Sequence, residues 1–157
     1  MPINVVLYQP EIPSNTGNIA RTCAATDARL HLIRPLGFST DDKMLKRAGV
    51  DYWSFVNITY YDSLEEFFAA NEDGEHFFLT KHGKHPHTAF KYNDPHKNYY
   101  FIFGKESSGL PKNVLAQHQE RCLRIPMTEN VRALNLSNTA AILVYEALRQ
   151  QGYPNLQ

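Results

Sequence analysis

Apolar residues fall in short runs separated by stretches of helical periodicity, and the two patterns alternate along the chain. Residues 4–8, 30–34, 53–60, 76–80, 98–103 and 122–126 read as strands, each short and rich in β-branched, aromatic or leucine side chains. Between them lie helical patterns. One covers 15–27 behind Pro13 and Ser14, one covers 42–48 and closes at Gly49, and one covers 63–70 with Leu64, Phe67 and Phe68 on a single face. Another covers 111–118 with proline at a favoured first-turn position. The last, 135–151, puts Leu136, Ala140, Leu143, Val144, Ala147 and Leu148 at i, i+3, i+4 spacing and stops before Gly152 and Pro154. The alternation predicts an α/β fold, a mainly parallel sheet with helices on both faces. No break in composition, repeat or low-complexity tract divides residues 1–157, so one domain is expected.

Composition narrows the class. At 157 residues and 43% hydrophobic, such a domain buries roughly 68–70% of its unfolded surface and needs no disulfide or structural metal. Cys23 and Cys122 form no C-x-x-C pair, which argues against a zinc ribbon and for a reducing, cytoplasmic setting. The apolar run at 3–8 contains Asn4 and is followed by Gln9, Pro10 and Glu11, so neither a signal segment nor a membrane span is expected there. Sixteen basic and sixteen acidic residues balance, but unevenly. Residues 62–75 hold six acidic residues and no Lys or Arg, leaving 16 basic against 10 acidic residues elsewhere, a net +6. A basic face for a polyanion is therefore compatible with zero overall charge.

Parallel sheets bind ligands at the carboxyl ends of their strands, so the loops after strands are where chemistry is sought. The first unusual loop runs Pro10-Glu-Ile-Pro-Ser-Asn15-Thr-Gly17-Asn18-Ile-Ala-Arg21. It sets Asn15, Gly17 and Asn18 at a helix start, where unpaired N–H groups suit an anion, and Arg21 one turn on; a capped helix with a surface arginine explains the same residues. The second, Gly104-Lys-Glu106-Ser-Ser-Gly109-Leu-Pro111, has the glycine spacing of a phosphate-binding P-loop. Leu110 and Pro111 stand where that loop needs lysine and a hydroxyl, so ATP binding is rejected, and no G-x-G occurs for a dinucleotide. What remains is a loop whose glycines allow close backbone approach to a ligand, with Glu106 facing into it, or simply a tight turn. The third, Ile125-Pro-Met127 followed by Arg132-Ala133-Leu134-Asn135-Leu-Ser137-Asn138, leads into the final helix as a cap. His82, His85 and His87 invite a metal, but their spacing lacks the carboxylate or cysteine that usually completes a site, so no metal is expected.

In this order the three loops resemble the motifs of the SPOUT superfamily of RNA methyltransferases, along essentially the whole chain. The resemblance is nearest to the small TrmL (YibK-type) tRNA 2′-O-methyltransferases. It rests on Asn15-Thr-Gly-Asn18-Ile-Ala-Arg21, on Phe103-Gly-Lys-Glu106-Ser-Ser-Gly109-Leu-Pro111, and on Ile125-Pro-Met127 with Leu134-Asn135-Leu-Ser137 and Val144-Tyr145-Glu146. Leu7-Tyr8-x-Pro10-Glu11-Ile12-Pro13 and Gly152-Tyr153-Pro154 support it. It implies a C-terminal deep trefoil knot, a rare exception to ordinary chain topology. It also implies S-adenosylmethionine as cofactor, S-adenosylhomocysteine as product, and a homodimer in which the first motif of each protomer borders the other's cofactor pocket. The implied cofactor-binding residues are Leu79, Gly104, Glu106, Ile125, Met127, Ala133, Leu134 and Asn135; relatives often carry serine at the position of Ala133. The implied catalytic set is Arg21, Asn15, Glu106 and Asn135.

By this resemblance the substrate is the 2′-hydroxyl of the tRNA wobble nucleotide, a cytidine or modified uridine, held with the anticodon loop on the dimer surface. A guanidinium with pKa above 12 is a poor base, so Arg21 is expected chiefly to grip phosphate or ribose. Lys43, Lys46, Arg47 and Arg132 are further candidate phosphate contacts. Methylation of a ribosomal RNA nucleotide, a non-catalytic RNA-binding module and a histidine-based metal hydrolase are the alternatives.

Overall fold

The computed structural model describes residues 3–40 and 52–157. Seven strands are present there: β1 Ile3–Tyr8, β2 Arg29–Ile33, β3 Ile58–Tyr61, β4 Glu75–Leu79, β5 His85–Pro86, β6 Tyr99–Phe103 and β7 Cys122–Arg124. They form one sheet in the order β3-β2-β1-β6-β4-β7-β5, with every neighbouring pair parallel. The helices are α1 Pro13–Thr26, α2 Leu64–Ala70, α3 Lys112–Gln117 and α4 Leu136–Gln151.

Alternate residues of each strand serve opposite faces, as a period of two requires. Val5, Leu7, Leu30, Leu32, Phe77, Phe101 and Phe103 pack with Ile19 and Cys23 of α1 and with Leu143, Val144 and Ala147 of α4. Val6, Phe78, Tyr100 and Ile102 pack on the other face with Leu64 and Phe67 of α2, and Val114 and Leu115 of α3 close that side. Each buried phenylalanine contributes about 1.5–3 kcal/mol. The expected α/β sheet with helices on both faces is therefore present.

Several boundaries differ from the sequence reading. Helix α1 starts two residues earlier than expected, at Pro13, so Asn15 and Gly17 lie within its first two turns. The run at 53–60 is a strand only from Ile58; Tyr52 and Trp53 are helical and lead into a turn bonded through Phe55 N to Tyr52 O. Trp53 and Val56, partly buried, still pack against the core, which accounts for their apolar character without a strand. β5 escaped notice because His85 and Pro86 are poor strand formers, and proline is tolerated only at a sheet edge, where β5 sits. The helix expected at 42–48, with Lys43, Lys46 and Arg47, lies outside the described residues.

One buried polar group sets a pH dependence. His31 of β2 is buried, with Nδ1 2.9 Å from the Tyr61 hydroxyl and Nε2 2.9 Å from Asn4 Oδ1. An amide oxygen only accepts, so Nε2 carries the proton and Nδ1 accepts from Tyr61. Desolvation, with Arg29 adding to it, lowers the His31 pKa to about 4. Between that value and about 6.5 the unfolded chain binds the extra proton and the folded chain does not, so stability is full above the window and falls as pH drops through it. The expected loss is roughly 3 kcal/mol from this group over the full window. Denaturant midpoints measured from pH 7.5 to 4 check it, and His31→Leu should flatten that slope while lowering stability throughout.

Candidate active site

Strand β1 lies between β2 and β6. The chain leaves β1 toward α1 on one face and leaves β6 toward α3 on the other, so the two loops diverge and open a crevice at the carboxyl edge of the sheet. A cavity of about 720 Å³ occupies that edge. All eight positions named by resemblance for the cofactor line it: Leu79 at the end of β4, Gly104 and Glu106 after β6, and Ile125, Met127, Ala133, Leu134 and Asn135 between β7 and α4. Asn15 of α1 lines it too. Arg21 is not among the lining residues; its guanidinium lies over the Tyr52 ring, 4.9 Å from the centroid. Arg21 stands about two helical turns beyond the start of α1, which carries it away from the crevice of its own protomer.

The loop after β6 is closed on itself. Lys105 N donates to Gly109 O at 3.2 Å and Gly109 N donates to Lys105 O at 2.9 Å. A Cβ on Gly104 would lie 2.2 Å from the Gly109 carbonyl carbon and 2.3 Å from Leu110 N. The glycine thus permits two stretches of backbone to meet, and the loop forms a rim of the cavity closed at its base. Glu106 points across the crevice. Its Oε1 accepts from Glu11 N at 2.9 Å, and its Oε2 accepts from Ile12 N at 3.0 Å and from Asn15 Nδ2 at 3.3 Å. Ile12, the residue before α1, offers no side-chain cap, so Glu106 supplies from β6 the negative charge that a helix start favours. With its lone pairs engaged by three donors, Glu106 is built to hold the loop after β1 in place. At the opposite wall Asn135 Oδ1 caps α4 by accepting from Ser137 N at 2.9 Å and Asn138 N at 3.4 Å, which leaves its Nδ2 donor for a ligand.

The sequence profile of the SpoU rRNA Methylase family matches residues 2–145. The chain belongs to the SpoU methylase family. Among SpoU relatives, a Bacillus subtilis protein is 69% identical over 155 residues, covering 99% of this chain and 97% of its own. The Escherichia coli tRNA (cytidine(34)-2′-O)-methyltransferase is 48% identical over 153 residues, covering 97% of this chain and 96% of its own. A structure solved for the 2′-OH methylation of C/U at position 34 of tRNA superposes with a TM-score of 0.89 at 43% identity, over 96% of each chain. The SpoU fold itself extends further. AviRb of Streptomyces viridochromogenes, solved in complex with AdoMet, is 23% identical with a TM-score of 0.80, over 99% of this chain and 59% of its own.

The SpoU crevice also gathers residues that the sequence reading passed over. Thr80, Lys81 and His82 follow β4 onto the cavity wall, and Lys105, Ser107, Ser108, Lys112 and Arg124 complete the rim. The signal was available for most of them, since Thr80 to His82 and Lys105 to Ser108 follow strands at the carboxyl edge, while Arg124 ends β7 and Lys112 opens α3. The three histidines weighed as metal ligands scatter. His82 lines the cavity, His85 Nε2 lies 3.5 Å from Glu120, and no group of three or more His, Cys, Asp or Glu among the described residues is arranged to hold a metal. Cys23 and Cys122 are both unpaired and buried, and burial pushes the Cys23 thiol up to about 12. Among the described residues no helix is long and apolar enough to cross a membrane.

Proposed function

We propose that this chain transfers a methyl group from S-adenosylmethionine to the ribose 2′-oxygen of nucleotide 34, a cytidine or modified uridine, in the anticodon loop of tRNA. One observation carries the reading: the cavity at the β1/β6 crevice gathers residues from each of the three motifs in a chain 48% identical to the Escherichia coli tRNA (cytidine(34)-2′-O)-methyltransferase.

The cavity suits the cofactor. Its volume of about 720 Å³ lies within the usual range for such sites. Leu79, Ile125, Met127 and Leu134 give it apolar walls, and Met127 and Leu134 stand 40% and 37% exposed, as walls for an adenosine would. When bound, S-adenosylmethionine supplies an electrophilic methyl carbon on a sulfonium. Positioning is then most of what the protein must provide. Asn135 offers a donor at the wall, Glu106 fixes the segment that carries Asn15, and Arg21 grips phosphate or ribose with a planar fork. The rim carries Lys81, Lys105, Lys112 and Arg124. Four cations are ill matched to a cofactor that itself bears a net positive charge, and well matched to an RNA backbone.

A homodimer belongs to this reading. Ile142 and Tyr145 of α4 are 36% and 45% exposed beside α1, which carries Arg21 outward. The apolar patch and the distance of Arg21 from its own cavity both support a site completed by a second protomer. The trefoil knot belongs to it as well, supported by the convergence of the segments after β4, β6 and β7 on one cavity. So does a cytoplasmic location, supported by the two unpaired thiols.

Nucleoside mass spectrometry of RNA from a deletion strain tests the reading: the 2′-O-methylated nucleoside should vanish from tRNA position 34. Loss from ribosomal RNA instead would move the substrate, and no loss anywhere would remove the enzyme. Transfer in vitro should survive chelator. The rim makes a separate prediction. Lys81→Ala combined with Lys112→Ala should weaken tRNA binding at all wobble sequences and reduce the slope of log affinity against log salt by about 2, as read by filter binding between 50 and 200 mM salt.

A further inference from the structure

The loops after β1 and β6 exchange carboxylates. Glu106 reaches across to Glu11 N and Ile12 N, and Glu11 reaches back, its Oε1 accepting from Ser107 N at 2.9 Å and from Ser107 Oγ at 2.7 Å. Neighbouring residues on each loop thus hold neighbouring residues on the other, through side chains more than ninety positions apart in the sequence. Ser107 and Glu106 line the cavity; Glu11 does not. The two bonds from Ser107 also keep the Glu11 carboxyl below the usual carboxylate range, with Lys105 adding to the effect.

We propose that Glu11 is a positioning residue for methyl transfer. It holds Ser107 and so presets the 104–110 segment in its cofactor-binding shape. The inference rests on the reading of the cavity as an S-adenosylmethionine site. The physical argument is one of preorganisation. The segment is already crossed by the Lys105–Gly109 pair at its base, but Ser107 stands at its tip, exposed, and among the described residues its N–H and Oγ donate to Glu11 alone. Without them the tip samples other conformations, and apparent affinity falls by the fraction of time it is correctly formed. Because binding restores the shape, the loss appears in affinity and little in turnover at saturation. Both bonds end on one oxygen, so a glutamine at position 11 can accept them with its amide oxygen, whereas alanine cannot.

The test uses the full chain, S-adenosylmethionine and an anticodon stem-loop RNA. Glu11→Ala is expected to raise KM for S-adenosylmethionine about tenfold while kcat at saturation stays within about threefold. Glu11→Gln should restore KM to within about threefold of the wild type, and Ser107→Ala should raise it in the same direction as Glu11→Ala by a smaller factor. The Glu11→Ala/Ser107→Ala double variant should be no worse than Glu11→Ala alone, the non-additivity of a shared contact. An unchanged KM in Glu11→Ala overturns the proposal, as does a Glu11→Gln as impaired as the alanine variant or a fully additive double variant. A general structural role would lower the melting temperature without this split between KM and kcat. Should Glu11→Ala fail to fold, Glu11→Gln and Ser107→Ala decide by the same criteria. Calorimetry on the wild type separates the two levels: active wild type with a normal Glu11→Ala refutes the brace alone, and a wild type that binds no S-adenosylmethionine refutes the site and the brace together.

Discussion

Gly104→Ala is expected to cut methyl transfer by about a hundredfold or more while leaving a folded protein. The added Cβ would lie 2.2 Å from the carbonyl carbon of Gly109 and 2.5 Å from its Cα, with Leu110 N at 2.3 Å. All three are backbone atoms, so no side chain can swing aside. The Lys105–Gly109 pair that closes the loop must part, and the rim of the cavity moves with it. Overpacking of this kind costs about 1–3 kcal/mol in stability, which for a chain of this length lowers the melting temperature by roughly 2–4 °C per kcal/mol. The functional cost is larger, because a displacement of about 1 Å in a positioning element costs on the order of a hundredfold. Calorimetry should show S-adenosylmethionine affinity reduced by about that factor or more. A variant that bound the cofactor normally would mean that the rim is not part of the site. Gly109→Ala is the control: nothing lies within 4 Å of its Cβ, and only its φ of +73° is strained. The expected cost there is about 1 kcal/mol, with a much smaller effect on affinity.

Arg21→Ala is expected to leave cofactor affinity unchanged and to lower kcat by about a hundredfold to a thousandfold, the usual range for removing a group that acts on the reacting oxygen. The separation follows from position, since Arg21 does not line the cavity of its own protomer. It sits over Tyr52 on the outer side of α1, and Tyr52→Ala should give a weaker version of the same kinetic pattern. Co-expression provides the decisive measurement. An Arg21→Ala chain keeps an intact cavity, and a Gly104→Ala chain keeps its arginine. If the site is completed across a dimer, mixed dimers hold one working site, and a random mixture should recover about a quarter of wild-type activity from two inactive parents. No recovery would place Arg21 in the service of its own chain. Arg21→Lys should recover little, because a single ammonium cannot reproduce a planar fork.

Much of this was legible in the chain itself. The continuous apolar run at 98–103 and the apolar stripe of 135–151 foretold β6 and α4, because a strand buried on both faces shows no alternation and helical spacing is a local consequence of backbone geometry. The cap at Asn135 and the stop at Gly152, with φ +76°, were equally local. The failures were local too. At 53–60 a cluster of aromatic and β-branched residues imitated a strand though Phe55 is 74% exposed, and at β5 a two-residue edge left no pattern to find.

The sequence by itself determined the fold class, most of the elements, and which strand-end loops were candidates to carry chemistry. It excluded a P-loop and a dinucleotide fingerprint, because those depend on residue identities at fixed spacing. Strand order was decided only in three dimensions. Setting β1 beside β6 brought Glu11 to Ser107 and Glu106 to the start of α1, turned a loop carboxylate into a helix cap, and left Arg21 outside the cavity of its own protomer. No local pattern encodes such contacts, because they arise when both faces of a parallel sheet must be buried at once and the chain takes the one order of strands that does it.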